Sequence, residues 1–224
     1  MATDCIFNLN TSNYLFPYCI CDNVQATLNP QICKMSQPKA IGVVVFDGFE
    51  TLDVYGPLGL LVSPALGCQY KAVLIGPTNS KTPNTVLTSS QLPTLTPHTL
   101  QWPQPEKFDI LLIPGGLGNR PLLKQPEYLD LLKKNAEAVI ASGGTILCVC
   151  TGSVLLAATG ILDGRQATTN KKAYNGLTPN YPTVQWKRRA RWVVDGQIIT
   201  SSGITAGMVE ICRYCTEIRM RRYI

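Results

Sequence analysis

The run Thr145-Ile-Leu-Cys-Val149, continued without a break by Cys150-Thr-Gly-Ser153, constrains the fold of this chain more than any other segment. The first five residues read as a buried strand. Gly152 to Ala158 has the small and aliphatic composition of a buried helix, so almost no loop separates the two. A strand that turns directly into a helix belongs to parallel sheets covered on both faces, and it pushes the junction side chain out over the carboxyl edge of the sheet. Here that side chain is Cys150, and Gly152 predicts a backbone approach too close for a larger residue.

The neighbouring sequence has the same alternation. Ile41 to Phe46, Tyr70 to Ile75 and Asp109 to Ile113 read as buried strands, and a helix is predicted through Asp53 to about Leu61. Pro126 opens a second helix with Leu129, Leu132 and Ala136 on one face. Ala190 to Val194 and Gln197 to Thr200 predict a hairpin turning at Asp195-Gly196, and Ile204 to about Ile218 a closing helix. The pattern predicts a three-layer α/β sandwich around a mostly parallel central sheet.

A chain of 224 residues with 45% apolar and 15% charged residues suits one such domain, placed at 41–224 with an abbreviated or divergent C-terminus. Residues 1–40 stand apart as a leader without periodicity, and Met35 is read as a competing start that intact-mass measurement would test. No apolar run approaches the length of a membrane span, and the first ten residues lack the pattern of a signal peptide, so a cytoplasmic protein with no membrane partner is expected. Nine cysteines, an odd number at irregular spacing, read as free thiols.

The net charge of +6 is uneven: from Arg165 onward eleven Lys or Arg face three acids. No nucleic-acid-binding signature accompanies them. A solvated, anion-tolerant face is the expectation, with a small molecule and not nucleic acid as partner.

At the start of a helix Cys150 would meet the positive end of the helix dipole and unpaired N–H groups, which predicts a lowered pKa and a thiolate that alkylates ahead of its companions at pH near ~6. Cys148, mid-strand, reads as a small core residue. Asp53 at the other helix start is, alone, a plain N-terminal charge; beside a cysteine on the same sheet edge, it becomes a carboxyl with a raised pKa that can donate a proton. Asp47 and Glu50 read as solvent-facing acids. After the third strand, Ile113-Pro-Gly-Gly-Leu-Gly118 lets backbone approach a ligand, and Gly115, Gly116 and Gly152 are candidates for substrate or oxyanion binding, with Gly116 N–H and Thr151 N–H as the anion donors. Cys212 and Cys215 lie in the closing helix without a second ligand pair, and neither a metal nor a cofactor is expected.

Taken together, Leu52-Asp53-Val-Tyr-Gly-Pro57, Ile113-Pro-Gly-Gly116, Val149-Cys-Thr-Gly-Ser153, Gly160 to Thr169 and Thr200 to Gly207 resemble the ThiJ/PfpI superfamily, and within it the isonitrile hydratase branch. The resemblance runs from Ile41 to about Met208. It implies a flavodoxin-like, class I glutamine amidotransferase-like fold with a nucleophile elbow, Cys150 as nucleophile, Asp53 as acid/base carboxyl, Thr151 beside the thiol, and a homodimer; the aromatic-rich hairpin around Trp186 and Trp192 is a candidate contributor to the dimer contact. It further implies a lyase that hydrates an isonitrile to an N-substituted formamide. The alternatives are a redox-responsive protective or regulatory protein in which Cys150 is oxidised to a sulfinate, or a glyoxalase or deglycase acting on reactive carbonyls. The last is disfavoured because Asn170 follows Thr168-Thr169 where such relatives often carry a histidine, and His98, the sole histidine, lies in a Pro-rich stretch.

Overall fold

The computed structural model describes residues 39–63, 70–77 and 84–221, with the side chains of the last helix described as far as Tyr214. The expected leader lies outside the described residues. The chain divides into two units, Met1–Ser36 and Gln37–Ile224, and all the described residues belong to the second.

In chain order the elements are β1 (Lys39–Val44), α1 (Thr51–Leu61), β2 (Tyr70–Gly76), β3 (Thr85–Leu87), β4 (Pro93–Leu95), β5 (His98–Thr99), β6 (Ile110–Ile113), α2 (Asn119–Leu122) and α3 (Pro126–Ala141). They continue with β7 (Thr145–Val149), α4 (Gly152–Ala158), β8 (Gln166–Ala167), α5 (Tyr174–Leu177), β9 (Gln185–Trp186), β10 (Trp192–Asp195), β11 (Ile198–Ser201) and α6 (Ile204–Arg221). Seven strands form the central sheet in the order β10-β11-β7-β6-β1-β2-β5, parallel except for β10. Strands β6, β7 and β11 are buried almost throughout, because helices cover both faces and leave no solvent side.

Helices α1 and α6 pack together, α6 against β11, while α3 and α4 cover β6 and β7 from the other side. The core is one cluster: Val54, Leu58 and Leu61 of α1, Leu132, Ala136 and Val139 of α3, Leu155 and Leu156 of α4, and the apolar faces of the inner strands. On α3 the buried stripe passes through Tyr128 and Leu132, with Leu129 only at its margin. Two small departures from the sequence reading concern strand ends. β1 starts and stops two residues early, and the β10–β11 hairpin turns at Gly196-Gln197, because Asp195 pairs with Ile198. Asp195 is held as a strand residue by accepting the Gln166 N–H at 2.8 Å and Arg165 at 3.3 Å, which leaves Gly196 with its positive φ of 61° to open the turn.

The strand order fixes where a ligand can sit. After β1 the chain moves outward to β2 and later returns to β6 on the opposite side of β1, so the connections leave the carboxyl ends of β1 and β6 in opposite directions. That divergence marks the place at the carboxyl edge where open sheets of this kind hold their ligands. The segments gathered there are 47–53 after β1, 114–118 after β6 and, one strand further, 150–153 after β7. Among the described residues, no helix is long and apolar enough to cross a membrane.

Candidate active site

Cys150 adopts φ 58°, a left-handed conformation that a residue with a Cβ rarely takes. The surrounding bonds impose it. Its N–H still donates to Ser201 O at 3.0 Å as if β7 continued beside β11, whereas its carbonyl has left the ladder and accepts from Thr169 Oγ1 at 3.1 Å and Ser153 Oγ at 3.2 Å. The next carbonyl, of Thr151, accepts from the buried Asn119 side chain at 3.1 Å. Gly152 follows under Ile113 O, which a Cβ there would strike. A strained residue fixed on every side is the construction of a nucleophile elbow.

Asp53 is fully buried in the first turn of α1. Its Oδ2 accepts the Gly115 N–H at 3.0 Å, and its Oδ1 is buried without a well-formed hydrogen bond. Burial pushes this carboxyl up to about 7; the Gly115 N–H opposes the shift, the charge of Glu50 adds to it, and the neighbouring Cys150 thiol opposes it weakly. Asp47 is exposed, as expected of a loop acid, and Glu50 half-buried; Glu50 accepts from Ser89 Oγ at 3.0 Å and Asp47 from Leu87 N–H at 2.9 Å, which pins the β3–β4 hairpin to the loop before α1.

The thiol corrects the expectation of a lowered pKa. Burial and the carboxyl of Asp53 push Cys150 up to about 12, against stabilising hydrogen bonds from Thr151 N–H and the Asn170 side chain. The helix that was to supply the dipole has only seven residues, and its effect is outweighed by desolvation and a like charge. Cys150 therefore rests as a thiol beside Asp53. With the thiol raised, the exposed Cys212 and not the half-buried Cys150 is the cysteine expected to alkylate first at low pH. Cys148 is buried in β7, as its mid-strand position required.

The glycines after β6 divide their N–H groups differently from the expected anion pair. Gly115 N–H serves Asp53, and Gly116 N–H donates to Thr151 Oγ1 at 3.2 Å. Thr151 N–H, the other member of that pair, is directed at the sulfur. Both glycines are obligatory: a Cβ on Gly115 would lie 2.6 Å from Thr151 N and 2.8 Å from Cys150 Cβ, and one on Gly116, at φ 131°, would lie 2.7 Å from Glu50 N.

Asn170 is the site residue that the sequence offered only as a missing histidine. Its Oδ1 accepts the N–H groups of Lys172 at 3.0 Å and Ala173 at 3.1 Å, which fixes the side-chain amide and leaves its N–H₂ to face the thiol. A Cβ on Gly203, at the start of α6, would lie 4.0 Å from that amide nitrogen. Histidine does not enter: β5, which carries His98, is four strands from β7, about 19 Å away at ordinary strand spacing. Among the described residues, no three His, Cys, Asp or Glu side chains converge as a metal site would require. The side chain of Cys215 lies outside the described residues.

An elbow cysteine coupled to a buried carboxyl at the carboxyl edge of a parallel sheet agrees with what the comparisons with known proteins find. The family model for the DJ-1/PfpI family matches residues 39–214. The chain belongs to the DJ-1/PfpI family. It is 34% identical over 169 residues to the isonitrile hydratase of Pseudomonas putida, an alignment covering 75% of this chain and 67% of that protein. With the protein dj-1beta of Drosophila melanogaster it shares 31% over 98 residues, 44% of this chain and 49% of the other. The crystal structure of Drosophila DJ-1beta superposes with a TM-score of 0.65 at 22% identity, covering 80% of this chain and 89% of that one. A ThiJ/PfpI family protein from Pseudomonas syringae superposes with a TM-score of 0.64 at 23% identity, covering 87% and 75%. These solved structures establish the fold.

Proposed function

We propose that this DJ-1/PfpI protein is a cysteine-dependent lyase that hydrates an isonitrile to an N-substituted formamide. The observation that carries the reading is the pairing of a protonated Cys150 thiol with a buried Asp53 carboxyl whose pKa lies near neutrality, at about 7. A carboxyl so poised can take and return protons at physiological pH, and a histidine is then unnecessary.

Protons and bonds balance at each step. Asp53, as carboxylate, removes the thiol proton while Sγ of Cys150 forms a bond to the terminal isonitrile carbon, and the same carbon receives that proton from Asp53. The product is a thioimidate, in which carbon is bonded to sulfur, hydrogen and the substituted nitrogen. Asp53, again a carboxylate, draws a proton from water as the water oxygen adds to this carbon, and the proton passes to nitrogen. Collapse of the tetrahedral adduct breaks the carbon–sulfur bond, returns a proton to sulfur and releases the formamide. Thr151 N–H and the Asn170 amide, both directed at the sulfur, stabilise the charge that develops on it when it attacks and when it leaves.

The relative at 34% identity, an isonitrile hydratase, supports this reading independently. The protonated thiol weighs against a peroxide-responsive protein, because the thiolate is the form that oxidises. Turnover of an isonitrile and of methylglyoxal by the wild type and by Cys150→Ala tests it: isonitrile hydration lost in the variant supports the proposal, whereas cysteine-dependent turnover of methylglyoxal alone would replace it with the carbonyl reading.

A further inference from the structure

Between Asp163 and Asp195 the chain contains no acidic residue, yet it places Lys171, Lys172, Lys187, Arg188, Arg189 and Arg191 there, all exposed. None of the six has an ion-pair partner among the described residues. Their placement is specific. Lys171 and Lys172 directly follow Asn170, whose amide faces the Cys150 thiol. The segment 187–191 is fastened beside them: Lys187 N–H donates to Ala167 O at 2.7 Å, and Thr168 Oγ1 donates to Lys187 O at 2.9 Å. At its far end Arg191 O accepts from Ser202 N–H at 2.8 Å, one residue before the Gly203 that flanks Asn170. The two basic segments thus bracket the Asn170 side of the site.

Three of these cations lie against partners that carry no charge of their own. Lys171 Nζ and Arg188 Cζ lie 5.9 and 5.8 Å from the centre of one ring, that of Tyr174, and Lys171 also donates to the buried Thr168 Oγ1 at 2.7 Å. Arg191 Cζ lies 5.6 Å from the ring of Trp192. A ring face favours a nearby cation without neutralising it, so the positive potential is kept. Like charges gathered without a counter-ion repel one another, and a collar of them beside a reactive thiol draws anions toward it.

We propose that this collar selects the substrate: a small molecule whose reacting group reaches Cys150 while a carboxylate or other oxyanion at its far end is held by Lys171 and Arg188. The proposal rests on Cys150 as the reacting group and, within the hydratase reading, names the substrate class as an isonitrile that carries an anionic substituent. A polyanion such as RNA is the competing occupant, but the cations flank Asn170 and the thiol and, among the described residues, accompany no nucleic-acid-binding element.

The test uses two alkylating agents that differ in charge, iodoacetate and iodoacetamide, with rates at Cys150 read by peptide mass mapping and Cys212 as reference within the same molecule. In the wild type, the iodoacetate-to-iodoacetamide ratio at Cys150 relative to Cys212 falls about threefold or more between about 20 mM and about 0.5 M KCl. It falls similarly at low salt in Lys171→Gln and in Arg188→Gln, and the salt series keeps the test open if one variant does not fold. A ratio indifferent to salt, or one that folded variants leave unchanged, overturns the proposal. So does loss of RNA retention in the variants with the ratio intact. A parallel comparison of isocyanoacetate with its neutral methyl ester separates the two readings: absence of any isonitrile turnover sinks the hydratase without touching the alkylation ratio, and a flat ratio sinks the collar while ester turnover stands.

Discussion

Asp53 and Cys150 are electrostatically coupled across the carboxyl edge of the sheet, each raised by burial, with Asp53 titrating near 7 and Cys150 near 12. At neutral pH the proton therefore resides on sulfur, and the carboxyl titrates in that region. The assignment of Asp53 as the group that moves the proton depends on this order.

If Asp53 must be ionised to accept the thiol proton, kcat/KM for isonitrile hydration rises with pH through an apparent pKa of about 7 and levels above it. A pH–rate profile from about 5 to 9 checks this. Activity that is flat or falls across that interval would remove Asp53 from the role.

Asp53→Asn is expected to lower turnover by about 10²- to 10⁴-fold. It also brings the Cys150 pKa down, because the like charge is gone while burial remains, as a thiolate absorbance titration would show. The effect on stability has the opposite sign. A carboxyl raised in the folded state costs nothing below its unfolded value near 3.8, and the full cost appears once pH exceeds the folded value near 7. Asp53→Asn is accordingly more stable than the wild type at pH about 8, by a few kcal/mol in order of magnitude, with the difference vanishing toward pH about 4. Denaturant unfolding at the two pH values measures it.

The left-handed backbone of Cys150 predicts a difference between two inactive variants. Cys150→Gly relieves the strain at φ 58° and Cys150→Ala keeps it, so the glycine variant should be the more stable by about 1 kcal/mol. Equal melting temperatures would contradict a strained elbow.

Asn170→Ala removes a hydrogen bond that favours the ionised sulfur. Alkylation of Cys150 at pH about 9 should slow several-fold, and kcat should fall more than KM changes. An unchanged alkylation rate would show that the amide only caps the turn at Lys172 and Ala173.

Much of this was legible in the sequence, because local pattern decides it. The β7–α4 junction was readable since a buried strand and a buried helix abut with Gly152 between them, and the sheet class followed from apolar runs of strand length such as Ile110 to Ile113. The pKa of Cys150 was not, because it depends on desolvation and on Asp53, 97 positions away, and a dipole argument made from one short helix omits both. Asn170 is hidden for a similar reason: its type suggests only a missing histidine, while its orientation comes from the Lys172 and Ala173 N–H groups that aim it. Gly116 looks like a free donor in the sequence because no periodicity reveals that the Thr151 hydroxyl accepts its N–H.

The central claim is that carbon–sulfur bond formation at Cys150 is driven by proton transfer through Asp53. Rapid acid quench of the wild type with an isonitrile, followed by peptide mass mapping, addresses it most directly. The account predicts a transient mass increase equal to the whole isonitrile on the peptide containing Cys150, absent in Cys150→Ser and strongly diminished in Asp53→Asn. An adduct on another cysteine, or formamide released by Cys150→Ala at the wild-type rate, would contradict it.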